Sequence, residues 1–308
     1  MKTNDIDKTN FLKLKYLIAV VVSLSAATTE AKEVTQHYKE WVLNANLELA
    51  ANKKISDEVI LITHGGLAHW GMEFITALQN QLKERGYSSL AINLSLAINN
   101  RHGMYDCQTT HRHRQTDAID EIDVWVNWLQ QQGNQRVILL GHSRGGLQTA
   151  LYATERDNDA VKAIILLAPA TRDNASAADY QQRHNKALAP LLLKAQQLVD
   201  ADKGDTVLDH AAIMQCRDTG VSANAFISYY AVDPRLDTPF LIPKLHKPTL
   251  VVIAGDDEVV VGLEQKIAPL VDAANVQMQV IEGAGHLFRD FNTDEAVEAM
   301  VAFLQGIK

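Results

Sequence analysis

Val137-Ile138-Leu139-Leu140-Gly141-His142-Ser143-Arg144-Gly145 is the stretch on which the reading of this chain turns. Four apolar residues run into Gly-x-Ser-x-Gly, and a helical pattern follows from Arg144 to about Glu155. A serine between a buried strand and a helix sits on a sharp, strained turn that exposes its hydroxyl. Side chains two residues before and two after would collide, so glycine is expected at 141 and 145. Because Ser143 also opens a helix, the N–H of Arg144 is free to donate to a developing oxyanion.

Working outward, strands and helices alternate on both sides of this turn. Residues from about 34 to 56 read as a short hairpin. Val59–Thr63 is an apolar strand, Met72–Arg85 an amphipathic helix ending at Gly86, and Leu90–Leu96 another strand. Ile119, Ile122, Val126 and Leu129 recur at helical spacing within Asp117–Gln132. Val161–Leu167 is a strand stopped by Pro169. Alternation lapses over residues 171–247, where a long helical pattern spans Ala177–Val199 and loops rich in Asp, Pro and Thr follow. It resumes with strand Thr249–Ala254, helix Leu263–Ala274, strand Val276–Ile281 and a capped helix Thr293–Gln305. Continuous apolar strands separated by helices imply a mostly parallel sheet covered on both faces, the α/β class.

A serine is a weak nucleophile without a base. Of the eleven histidines, His286 is the best placed: Gly283-Ala284-Gly285-His286 directly follows the strand ending at Ile281. That puts an imidazole at the sheet edge that carries Ser143. His142 adjoins the serine but is expected to point away. His64-Gly65-Gly66 follows the strand ending at Thr63, so the Gly66 amide is the second expected oxyanion donor and His64 a support for that loop. The base needs an orienting acid, and Gly255-Asp256-Asp257-Glu258 follows the preceding strand. The chain order is then serine, acid, histidine.

The glycine-flanked serine, the His-Gly-Gly loop, the acid loop and the histidine loop, each behind a strand and in this order, resemble the α/β-hydrolase superfamily from about residue 56 to 308. The resemblance implies an eight-stranded, mostly parallel sheet with a helical cap over residues 171–247. It also implies a departure, since the family's usual count from the glycine lands on Glu258. Asp257 is the preferred acid, because it needs only a loop one residue shorter and leaves Val260 where relatives with Asp-x-x-Val carry their valine; Asp256 and Glu258 are the alternatives. The activity implied is hydrolysis of carboxylic esters of small molecules through an acyl-enzyme, with no cofactor. Peptidase or thioesterase chemistry on the same fold is the first alternative, and a non-catalytic binding protein of the fold the second.

The chain is 308 residues long, 47% hydrophobic and 21% charged, with net charge −8. It is long enough to bury a large core, and it lacks the basic patch that nucleic-acid binding requires. Its densest basic stretch, His111–Arg114, is followed within a few residues by Asp117, Asp120 and Glu121. Lys8, Lys13 and Lys15 precede an apolar run from Tyr16 to Ala27, and Ser25-Ala26-Ala27 fits a small-x-small cleavage site. The run is short of the roughly 20 residues that span a bilayer, so residues 1–27 read as an export signal, the mature chain as free of stable membrane insertion, and its destination as periplasmic or secreted. An exported protein favours pairing of its two cysteines, Cys107 and Cys216, although two separate thiols remain open. His102, Asp106, Cys107, His111 and His113 fall in one stretch without the spacing of any metal motif, and read as a polar loop near the mouth of the site. Trp125 and Trp128 are expected to pack in the core or an interface, and Arg144 to pair with a nearby acid, an anionic group of the substrate being the alternative.

Overall fold

The computed structural model describes residues 31–271 and 275–307. The expected leader, residues 1–27, lies outside the described residues. In chain order the elements are β1 Lys32–Tyr38, β2 Trp41–Glu48, β3 Val59–Thr63, α1 Glu73–Glu84, β4 Ser88–Ile92, α2 Asp117–Gln131, β5 Val137–His142, α3 Arg144–Glu155 and β6 Val161–Leu167. A second group lies outside the main sheet: α4 Ala177–His184, α5 Leu188–Asp200, β7 Val207–Ile213, β8 Cys216–Ser222, α6 Ala223–Tyr230 and α7 Thr238–Leu241. The chain then returns through β9 Thr249–Ala254, α8 Leu263–Ile267, β10 Val276–Ile281 and α9 Phe291–Gly306.

Eight strands form one sheet in the order β1-β2-β4-β3-β5-β6-β9-β10. β1 and β2 pair antiparallel, as do β2 and β4, and every other pairing is parallel. The central strands β3, β5, β6 and β9 are almost entirely apolar because both faces are covered, whereas the edge strands β1 and β10 alternate exposed and partly buried residues. Val59, Leu61, Val137 and Leu139 point into a core shared with α2, α3 and α6, while Ile60, Ile62, Ile138 and Leu140 point into a second core under α1 and α9. Alternate side chains therefore serve opposite layers. Trp125 is fully buried in the first core, with Trp128 edge-on at 5.6 Å.

The expected boundaries shift where local chemistry intervenes. The helix expected over Ala177–Val199 is two helices, α4 and α5. Asn185 takes a left-handed conformation (φ 53°) that ends α4, and Pro190 sits in the first turn of α5, where its missing N–H costs nothing. The helix expected over Leu263–Ala274 stops at Ile267 and tightens into a 3₁₀ turn around Pro269. The strand expected at Leu90–Leu96 begins at Ser88 and ends at Ile92, because Asn93 turns its amide onto Asn44 and the Arg101 carbonyl. Helix α9 starts two residues before Thr293, whose hydroxyl donates to the Phe288 carbonyl. The largest difference is in the cap. It is not helical alone: β7 and β8 form an antiparallel hairpin with Met214-Gln215 at its tip.

Candidate active site

The elbow follows from its glycines. Ser143 is held at φ 55°, ψ −123°, and its backbone is locked by the N–H of Ser143 donating to Leu167 and by the N–H groups of Gly146 and Ala170 donating to its carbonyl, each at 2.9 Å. A Cβ on Gly141 would overlap the Gly145 carbonyl, and one on Gly145 would overlap the carbonyls of Thr63 and His64. The two glycines thus clear room for each other and for the end of β3. A Cβ on Gly65 would lie 2.9 Å from that of Ser143, so the loop after β3 approaches the serine as closely as backbone can.

Ser143, His286 and Asp257 are brought together in series. His286 Nε2 is 2.8 Å from Ser143 Oγ, and His286 Nδ1 is 2.8 Å from Asp257 Oδ2. The other carboxylate oxygen of Asp257 accepts the amides of Val259 at 2.7 Å and Val260 at 2.9 Å, a turn that lets the short loop present the acid. Burial alone would raise the Asp257 pKa. The hydrogen bond and charge of His286, with those two amides, outweigh it and hold the carboxyl below its ordinary value. Asp256 and Glu258, the alternative acids, are exposed and do not meet His286.

Two further histidines brace the arrangement. His142 does turn away from the serine, but it is buried and donates Nε2–H to the His286 carbonyl at 2.9 Å, fixing the loop that carries His286. His64 Nε2 accepts the Leu94 amide and an Arg101 N–H, each at 3.1 Å, so its Nδ1 carries the proton and faces the Gly65 carbonyl at 3.2 Å. The Gly66 backbone stands at φ 41° beside the serine, with the Arg144 amide opening α3.

The cap contributes residues that sequence reasoning missed. Cys107 and Cys216 are bridged, which ties the β7–β8 hairpin to the loop after β4. The hairpin tip then sets Gln215 over Gly66, and α4 brings Arg183 to the same place. No local signal marks them: β8 carries Arg217 and Asp218, and Met-Gln is not a turn dipeptide. The stretch read as a polar mouth loop runs inward. His111 and His113 are buried beneath the cap, His113 against the Tyr229 hydroxyl at 3.0 Å, while His102 faces outward onto Glu33 at 3.1 Å. The five residues of that stretch do not converge. Arg144, expected to meet an acid, has none within ion-pair distance among the described residues; its guanidinium lies 5.4 Å over the Tyr229 ring and 3.4 Å from the Gln115 amide oxygen.

Two cavities meet at Ser143. The larger, about 600 Å³, is walled mainly by Met72, Phe74, Ile75, Leu287 and Phe288, with Arg183 and Gln215 on the rim it shares with the smaller cavity. The smaller, about 50 Å³, is walled by Arg144, Asp179, Arg183, Gln215 and Tyr230. Among the described residues no helix is long and apolar enough to cross a membrane.

Comparison with known proteins agrees with this architecture. Est1E from Butyrivibrio proteoclasticus superposes with TM-score 0.61 at 19% identity, over 89% of this chain and 99% of that one. The siderophore hydrolase EstB from Aspergillus fumigatus does so with TM-score 0.62 at 15% identity, over 91% and 99%. The Pyrococcus furiosus esterase Pf2001 gives 0.56 at 16%, over 90% of each chain. At these identities the likeness is one of fold. No curated protein sequence matches the chain. A family model described as serine aminopeptidase, S33 (Hydrolase_4) matches residues 54–290, and the chain belongs to that family of α/β hydrolases.

Proposed function

We propose that this protein is a serine hydrolase of carboxylic esters, working through an acyl-enzyme on Ser143. The observation that carries the reading is the unbroken series Ser143–His286–Asp257 at the mouth of a large apolar cavity. His286 takes the serine proton as Oγ attacks the ester carbonyl. The amides of Gly66 and Arg144 receive the oxyanion. Asp257, ionised across the neutral range, keeps the Nδ1 proton in place and stabilises the imidazolium that forms. Protonated His286 then releases the alcohol, and water repeats the sequence on the acyl-enzyme. No cofactor takes part in these steps.

The family's name raises aminopeptidase chemistry, but the surroundings of the serine favour an ester. An aminopeptidase must hold a free ammonium beside the scissile bond. Here the small cavity presents two guanidinium groups against Asp179, whose carboxylate already accepts Arg183 Nε at 2.6 Å. The N-terminal pattern and the Cys107–Cys216 bridge also support export to an oxidising compartment. The test of the esterase reading is Ser143→Ala, assayed on a neutral aryl ester with folding checked by circular dichroism. A loss of roughly 10⁴–10⁶ in kcat is expected. Near-normal turnover in the folded variant removes Ser143 from the chemistry.

A further inference from the structure

The two cavities at Ser143 differ in more than size. When the ester breaks, the leaving oxygen must take its proton from His286 Nε2, so the alcohol lies on the His286 side. His286, Leu287 and Phe288 wall the larger cavity, and none of them reaches the smaller one. The alcohol therefore occupies the apolar cavity and the acyl group points into the small one.

That small cavity is built for charge. Arg144 lines this cavity only, Arg183 stands where it opens into the larger one, and Asp179 is the one carboxylate in its wall. Asp179 is engaged by Arg183 through Nε, which leaves the outer nitrogens of that guanidinium without a partner among the described residues. Arg144 has only an aromatic face and a distant amide oxygen. Two cations held near each other against one anion are unfavourable in a partly buried site, unless a ligand supplies the missing charge. A guanidinium fork matches a carboxylate better than any other small anion an acyl chain carries. Gln215, set there by the hairpin tip, and the Tyr230 hydroxyl add uncharged polar atoms to the wall. Its volume, about 50 Å³ against about 600 Å³ for the larger cavity, suits the shorter part of the substrate.

We propose that the small cavity beside Ser143 binds a carboxylate on the acyl part of the substrate, so that half-esters of short dicarboxylic acids with a bulky apolar alcohol are the preferred substrates. This rests on the esterase reading above. The competing explanation is that Arg144 and Arg183 only brace the cap over the elbow.

The experiment compares two esters of benzyl alcohol, following its release by chromatography. One is benzyl hydrogen succinate; the other is benzyl 4-methylpentanoate, in which an isopropyl group replaces the carboxylate. A charge-assisted contact is worth about 10- to 100-fold. Wild-type kcat/KM is expected to favour the succinate half-ester by about that factor. In Arg183→Gln the ratio of the two kcat/KM values should fall about tenfold, through KM more than kcat, and Arg183→Lys should recover part of it. A bracing role would lower both substrates together and leave the ratio in place, which overturns the proposal. A wild-type ratio at or below one also overturns it, and needs no variant to fold. If the neutral ester turns over with no preference, the esterase reading stands and the anion site falls. If neither ester is hydrolysed, both fall.

Discussion

Two regions converge on Ser143 by different physical routes. The sheet edge supplies Ser143, Asp257 and His286 from loops that each follow a parallel strand within a few residues: Ser143 after β5, Asp257 after β9, His286 after β10. Their positions are set by parallel pairing and, at the elbow, by Gly141 and Gly145, where any side chain would meet backbone. The cap supplies Arg183, Gln215 and Tyr230 from segments that touch the site only because of long-range links. These are a disulfide across 109 residues, an isolated pairing of His111 with Val221, and the packing of α5 on α6. The division is chemical as well. Groups that must hold sub-ångström geometry stand on the rigid layer, and groups that select among substrates stand on the part that can be remodelled without disturbing it.

The sharpest way to break this division is at the acid. If the sheet edge carries the chemistry, Asp257→Asn should cost around 10⁴ in kcat through the wrong imidazole tautomer. Asp256→Asn and Glu258→Gln, both exposed, should each stay within about tenfold of wild type, since surface changes rarely matter much. Steady-state kcat for the three folded variants decides it. Activity retained by Asp257→Asn and lost in a neighbour would reassign the acid.

The cap is tested by its bridge. Closing a loop of this size should stabilise by about 4–5 kcal/mol in the chain-entropy model. Protein recovered after export with its leader should begin after Ala27 and show no free thiol on denaturation. The double variant Cys107→Ser, Cys216→Ser should lose most of that stability in urea melts. Two reactive thiols per chain in the exported wild type would contradict the bridge, and an intact leader the export.

A smaller effect distinguishes the two regions by pH. Burial pushes His111 and His113 under the cap, and His142 at the elbow, down to about 3, and His64 well below its ordinary value. Above about pH 6.5 these groups are neutral whether the chain is folded or not. As pH falls from there toward 3, the unfolded chain binds protons that the folded one refuses. Each histidine then subtracts up to about 1.4 kcal/mol per pH unit. Glu121, raised by burial to about 7, works in the opposite sense between about pH 4.5 and 7 and offsets one of the four. Urea midpoints should therefore drop steadily from pH 7 to pH 5, and His113→Gln should flatten the slope by one proton's worth. A stability that holds or rises over that interval would mean these rings are protonated in the fold.

How much of this was legible in the sequence follows the same division. Val59–Thr63, Val137–Leu140 and Thr249–Ala254 are runs whose burial on both faces is their whole energetic logic, so pattern alone exposes them, and the site loops that follow them come with them. The β7–β8 hairpin has no such pattern. His210, Arg217 and Asp218 lie along it in solvent, and its tip depends on a disulfide partner 109 residues away. The break between α4 and α5 was written in Asn185 and Pro190, but a helical periodicity running through both concealed it. Arg144 misled for another reason: among the described residues no counter-ion meets it, and an aromatic face takes that place.

The claim that Ser143 is the nucleophile, with His286 as its base, is tested most directly by covalent labelling. A fluorophosphonate probe should add to the wild-type protein at one equivalent per chain. Peptide mass spectrometry should place the adduct on Ser143. His286→Ala should slow labelling by orders of magnitude while the fold persists, because the hydroxyl loses the group that takes its proton. No adduct on the folded wild type, or an adduct on a residue other than Ser143, would contradict the assignment at its centre.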